Sequence, residues 1–150
     1  MVASNEIDNV IQDRLDALSI EDWSKIMDMN AHIQNHKGSW GEIEGGKKTE
    51  SGVIEMPYAN PAPIISEFMK LWYEKDLVIA FDWSSWQEGR DWYANPDNDK
   101  YKKIDAVTAL KLITAVLRND RFNDGALMRA FKSGEFPKIL NRLVETHDTI

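Results

Sequence analysis

The stretch "HKGSWGEIEGGKKTESGVIEMPY", residues 36–58, decides whether this chain is wholly helical or mixed. On either side of it, apolar residues return every three or four positions; within it they do not. It is rich in glycine, and its apolar residues fall in short runs around Trp40 and Ile43 and around Val53 and Ile54. This pattern supports two short strands joined by the polar loop 45–52, a hairpin with a longer connection. The loop itself, "GGKKTESG", reads as the most mobile interior part of the chain.

Outward from that hairpin the helical period resumes. On the N-terminal side, Ser4 is placed to cap a helix with Ile7, Val10, Ile11, Leu15 and Leu18 on one face. Its opposite face, with Asp8, Asp13 and Asp16, reads as solvated. Ser19, followed three residues later by Asp22, resembles a capping box. The helix it opens turns Trp23, Ile26, Met27 and Ile33 inward.

On the C-terminal side, "PYANPAP" reads as an extended linker, because each proline pushes the residue before it out of the helical region. Pro63 opens a helix that buries Ile64, Ile65, Phe68 and Trp72. "DLVIAF", residues 76–81, is a short apolar run that predicts a buried strand. Ser84 or Ser85 is placed to cap a helix reaching about Tyr93, and "NPDND" marks a turn. Asp105 caps a helix striped by Val107, Leu110, Ile113, Val116 and Leu117. Asp124 is expected to cap a short helix holding Leu127, Met128 and Phe131, ended by Gly134. Pro137 opens a last helix that buries Ile139, Leu140 and Leu143. The expected fold is α+β and mostly helical, one domain over residues 1–150 with a small antiparallel sheet of about three strands. Residues 1–35 form an N-terminal helical pair, and 146–150 read as a loose tail.

Composition narrows the function classes. At 150 residues with 43% hydrophobic and 29% charged residues, the chain has the balance of a soluble globular protein. No run of 18 apolar residues occurs, and no basic and apolar leader opens the chain, so a cytoplasmic protein is expected, in the host cell if phage-encoded. Zero cysteines removes disulfides, thiol catalysis and thiolate metal sites. The net charge of −7 is uneven. Residues 1–100 carry 9 Lys and Arg against 19 Asp and Glu, a balance of −10, whereas 101–150 carry 9 against 6, a balance of +3. An acidic body argues against general nucleic-acid binding, which requires clustered cations.

An ordered set of motifs runs through the chain: Gly38-x-Trp40-x4-Gly45-Gly46, Met56-Pro57-Tyr58, Phe81-Asp82-Trp83-x2-Trp86 and Arg118-x-Asp120-Arg121-Phe122-x2-Gly125. Phe131-x2-Gly134-x4-Ile139-Leu140-x-Arg142-Leu143 closes it. Over residues 36–145 this resembles a family of small bacterial and mobile-element domains of unknown function. Where the resemblance leads one to expect an aromatic after "MPY", this chain has Ala59-Asn60-Pro61. The resemblance implies a fold and a host range, and brings no catalytic residue with it.

No catalytic constellation, metal set or cofactor motif is read from the sequence. His32 and His36 are four apart, as metal-binding pairs on a helix are, but the intervening glutamate of H-E-x-x-H and a third ligand are missing. Asp82, Glu88 and Asp91 lie near tryptophans, as a glycosidase pair would, in a chain where 25 acids make such pairs common. Asp82 follows an apolar run between Phe81 and Trp83, so burial against a helix N-terminus or against Arg118 or Arg121 is expected. Trp83, Trp86 and Tyr93 share one side of a helix, with Trp92 one position off, and most of this aromatic surface is expected in the core. Any part left exposed marks a partner surface, with Arg90 beside it. "RNDRF" reads as a helix end, or as an anion pocket of Arg118, Arg121 and Arg129.

Two functions compete. The first is a non-enzymatic protein-interaction or regulatory module of a bacterium, phage or mobile element, such as an inhibitor of a host defence complex. The second is a small-ligand binder or hydrolase-like enzyme with a pocket at Asp82, Trp83, Trp86, Arg118 and Arg121. Candidate contact residues are therefore Asp82, Trp83, Trp86, Arg90, Trp92, Arg118 and Arg121, with no membrane partner.

Overall fold

The sequence 106–117 has almost no polar face, and a helix apolar on all sides must lie inside. In the computed structural model this segment is α5 (Ala106–Asp120), the axis of the fold. The structure describes residues 4–46, 50–53 and 56–148, the side chains of 4, 5 and 148 excepted. Around α5 the chain places α1 (Ser4–Asp16), α2 (Ile20–Gln34), β1 (Gly41–Glu44), β2 (Tyr58–Pro61), α3 (Pro63–Glu74), α4 (Gln87–Ala94), α6 (Ala126–Lys132) and α7 (Glu135–Asp148). Two 3₁₀ turns, Trp83–Ser85 and Asn98–Lys103, flank α4. α5 packs on α7, α6 and α1, and α7 also covers α2. The fold is α+β and mostly helical, as expected.

Ala109, Leu110, Leu112, Ile113 and Leu117 of α5 are all buried, a wider apolar surface than the expected stripe, in which Val107 and Val116 are only half-buried. Against it stands a ring cluster: Phe68 stacks on Trp72 at 4.7 Å, and Phe131 and Phe136 meet at 4.6 Å. Each such side chain contributes about 2–3 kcal/mol on burial. The expected caps hold at α2, where Ser19 and Asp22 exchange both capping bonds at 3.0 Å, and at α5, where Asp105 accepts from Thr108 N–H. α3 begins at Pro63, Gly134 at φ 82 follows α6, and Pro137 lies in the first turn of α7.

The sheet differs from expectation. It has two strands among the described residues, and β2 comes from the proline-bearing segment expected to be a linker. The second expected strand, at Val53 and Ile54, does not form at Val53, and Ile54 lies outside the described residues, as do 47–49 of the expected loop. Gly41 faces Pro61 and Ile43 faces Ala59 in an antiparallel register. Pro61 at a strand end removes only one N–H from the ladder, so the prolines did not forbid the strand. Gly41 is required there: at φ 127, a Cβ would lie 2.5 Å from Asn60 O and 2.7 Å from Met128 Sδ.

"DLVIAF" is not a strand. Leu77 and Ile79 are buried, as a strand would bury them, but no strand pairs with the segment among the described residues. Its Ile79 N–H instead donates to Thr114 Oγ1 of α5, at 3.4 Å. Asp124 does not cap α6: its carboxylate accepts from Ala59 N–H of β2 at 2.6 Å, and Asp120 Oδ1 accepts from Leu127 N–H instead. One aspartate thus ties the hairpin to the α5–α6 corner.

Two lysines are buried among the described residues. Lys111 of α5 meets Asp8 of α1 at 3.2 Å, so the acidic face of α1 is in part a packing face. Val10, expected inside, is exposed. Lys100 Nζ pairs with Glu135 at 2.9 Å and donates to Trp92 O and Tyr93 O. At the C-terminus α7 continues through residues 146–148 rather than loosening, and His147 stacks on Trp23 at 3.7 Å; residues 149–150 lie outside the described residues.

Candidate functional site

"FDWSSWQEGRDWY" forms two pieces rather than one helix. Trp83–Ser85 is a 3₁₀ turn, and α4 starts at Gln87 with Trp86 at its N-cap and no side-chain cap. Neither Ser84 nor Ser85 caps α4, since Trp86 holds the N-cap position, and Ser84 Oγ donates to Asp82 Oδ1 at 3.0 Å. The break matters for geometry: it aims Trp83 and Trp86 independently instead of along one helical stripe.

Between this turn, α4, α5 and α6 lies a cleft of about 360 Å³. Trp83, Trp86 and Tyr93 line it from the 3₁₀ turn and α4. Ala115, Ala126 and Ala130 line it from α5 and α6, and their short side chains leave the space open. Polar groups enter from Ser84, Arg90 and Asn119, and Arg90 is the one charged side chain in the lining. Arg90 also donates to Ser84 O, which fixes the guanidinium across the turn.

Each wall is held from behind. Trp86 meets Phe81 edge-on at 5.7 Å, and Lys111 Nζ sits 4.7 Å from the centre of its ring. Gly89 is pressed so closely to Trp86 that a Cβ would come within 2.3 Å of the indole. Trp86 Nε1 is buried without an acceptor. Tyr93 donates its hydroxyl to Leu112 O at 3.2 Å; burial, then Glu135 and Tyr101, push its pKa well above the ordinary phenol value. Tyr101 is likewise pushed up to about 12 by burial and Glu135. Trp83 stacks on Phe122 with ring centres 6.4 Å apart, and Phe122 is 83% exposed. An aromatic surface therefore runs out of the cleft into solvent.

The expected site residues divide. Trp83, Trp86 and Arg90 come together in the cleft. Trp92 faces elsewhere, edge-on to Tyr101 at 5.2 Å and under Lys100 Nζ at 4.4 Å. Asp82 is exposed and bonded to Ser84, so the expected buried pair with Arg118 or Arg121 does not form. Arg121 instead lies over the ring of Tyr73 at 5.5 Å, and Arg118 makes no ion pair among the described residues. Neither borders the cleft, nor do Glu88 and Asp91. His32 and His36 do not share a helix, since α2 ends at Gln34 and His36 Nε2 contacts Ser39 O. Among the described residues no three His, Asp or Glu side chains converge as metal ligands would.

Sequence reasoning missed Ala126, Ala130, Ala115 and Asn119. The signal available was a pair of alanines four apart in α6 beside a tryptophan-rich segment, a small-residue face where a core helix would place large ones.

Residues 18–149 match the family of unknown function DUF6508. The chain belongs to that family. No match is found among curated proteins or solved structures. The DUF6508 match starts at residue 18, well before the first of the sequence motifs at Gly38, so it takes in α2 as well as the hairpin. Every residue that lines the cleft lies within it, whereas α1 lies outside. No helix of the described residues is long and apolar enough to cross a membrane.

Proposed function

We propose that this DUF6508 protein is a non-enzymatic interaction module that docks a partner protein at the cleft of Trp83, Trp86 and Arg90. The observation that carries this reading is the composition of the cleft. Its walls are tryptophan and tyrosine, its floor is alanine, and none of its lining residues is a carboxylate or an imidazole. Such a lining grips an apolar side chain, and its one phenol, Tyr93, already donates to Leu112 O, which favours binding over hydrolysis. Tryptophan, tyrosine and arginine are also the side chains that most often anchor protein interfaces. Phe122, exposed and stacked on Trp83, extends the contact surface beyond what a small ligand would use. In a bacterium, phage or mobile element, such a module regulates a complex by covering one of its surfaces. Inhibition of a host defence complex is the form of regulation we assign to it.

The test compares capture from host lysate by the wild-type chain and by Trp83→Ala, each checked for helicity. A partner held at equal stoichiometry by the wild type and lost with Trp83→Ala supports the reading. Equal capture by both proteins places the interface elsewhere and contradicts it.

A further inference from the structure

A second concavity, a groove of about 680 Å³, lies at the opposite end of α5 from the cleft and shares no lining residue with it. α5 opens there at Ala106, its N-terminus capped by Asp105, whereas the cleft borders Ala115, Val116 and Asn119. The last turn of α1 forms one wall and the first half of α2 another. On α2 the spacing places Ile20, Trp23 and Met27 on one stripe, and two of them are left to solvent, Ile20 at 91% and Met27 at 39% exposure. The carboxylates stand beside this stripe, Asp16 on the α1 wall and Asp28 on the α2 wall. No lysine or arginine lines the groove, and the imidazole of His147 lies flat against Trp23. α1 and α2 together carry seven acids against two cations, Arg14 and Lys25. Both cations are engaged, Arg14 with Asp76 at 2.8 Å and Lys25 with Glu21 at 3.8 Å. Lys111 meets Asp8, and Lys75 meets Asp22. Asp16 accepts the Gln12 amide at 2.9 Å, a neutral donor that leaves its charge in place. Neither Asp16 nor Asp28 has an ion-pair partner among the described residues.

An exposed apolar stripe lined by carboxylates of one sign of charge is complementary to a cationic segment that carries an apolar side chain. We infer that this groove docks a basic peptide segment of a protein partner. One Leu, Ile, Met or Phe side chain of that segment rests on Ile20, Trp23 and Met27, and Lys or Arg beside it meets Asp16 and Asp28. Met27 suits such a seat, because an unbranched thioether adapts to the shape it meets. α1 ends at Asp16 and α7 one residue past His147, so the negative ends of two helix dipoles add to the field of the two carboxylates. The same field repels phosphate, which sets nucleic acid and anionic lipid aside as occupants. The groove is separate from the cleft of Trp83, Trp86 and Arg90, and the two stand or fall independently.

The experiment pans a phage-displayed library of random peptides, each roughly twelve residues long, on the wild-type protein. Selected peptides are then titrated against the wild type, the double variant Asp16→Asn/Asp28→Asn, Met27→Ser and Trp83→Ala. The three substituted groove side chains are exposed, so the fold tolerates their replacement, and an unchanged urea-unfolding midpoint checks it. The expected peptides carry Lys or Arg within two positions of an apolar residue. They bind about 10-fold or more weakly to the double variant and to Met27→Ser, weaken as salt rises, and keep their affinity for Trp83→Ala. Peptides that depend on the groove residues but are neutral or acidic overturn the inference. A selection in which no peptide responds to either groove variant overturns it as well, and one that responds to Trp83→Ala alone does so while leaving the cleft reading standing. Sedimentation equilibrium of the wild type covers the remaining occupant. A dimer that Met27→Ser abolishes gives the groove to a second copy of the chain and overturns the peptide assignment.

Discussion

Asp22 does two jobs at the start of α2: it accepts Ser19 N–H in the capping box, and it meets Lys75 of α3 at 2.5 Å. The Lys75 ammonium, and then the Ser19 N–H, hold its carboxyl down from an ordinary 3.8 to about 2. Lys75 is correspondingly raised, chiefly by Asp22. A depressed acid stabilises the fold at pH values above its unfolded pKa and loses that effect as pH falls toward the folded one. The melting temperature of wild type should therefore exceed that of Asp22→Asn at neutral pH, and the gap should close between about pH 4 and pH 2. The raised lysine acts in the opposite sense, contributing below its ordinary pKa and losing effect as pH climbs past it. A gap that stays constant from neutral pH to pH 2 contradicts the assigned pair. Lys100 gives a second test at this scale. Its buried ammonium bonds two carbonyls and Glu135, so Lys100→Met strands those acceptors and should cost about 2–3 kcal/mol in urea unfolding.

At the scale of elements, the segment at residues 76–81 and the turn at Trp83–Ser85 explain where sequence periodicity stopped being informative. Thr114, fully buried on α5, accepts Ile79 N–H and so replaces one bond of a missing neighbouring strand. Thr114→Val keeps the shape and removes the acceptor, and should lower stability by about 1–2 kcal/mol. A change below about 0.3 kcal/mol would show that this bond does not hold the segment. Gly89→Ala drives a methyl into Trp86 and should both destabilise by about 1–3 kcal/mol and alter tryptophan emission. The caps at Ser19 and Asp105 and the first-turn proline of α3 were legible because each is a local bargain between neighbours in sequence. The strand at Tyr58–Pro61 was not, because its partner and Asp124 lie far away along the chain. An apolar run of six residues predicts burial, which Leu77 and Ile79 have, but cannot say whether a strand waits beside it.

For the whole molecule, the mixed and mostly helical architecture followed from the change of period at residues 36–58, even though one of its strands stood a few residues further on. The candidate site was half legible. Trp83, Trp86 and Arg90 announced themselves by residue type, whereas Asp82 was expected in a buried pair and lies in solvent. Its fate turned on a backbone turn after Phe81 that no spacing rule encodes. The alanines of α5 and α6 shape the cleft by what they lack, and absence of volume is silent in an apolar pattern. Charge is spread unevenly over the molecule, with a balance of −10 in residues 1–100 and +3 in 101–150, and Arg90 is the one charged side chain that lines the cleft. The most direct test of the docking site is a nuclear magnetic resonance titration of the isotope-labelled chain with its captured partner. The indole signals of Trp83 and Trp86 and the methyls of Ala126 and Ala130 are expected to shift first and most. Shifts confined to α1 and α2, with those four signals unmoved, would contradict it.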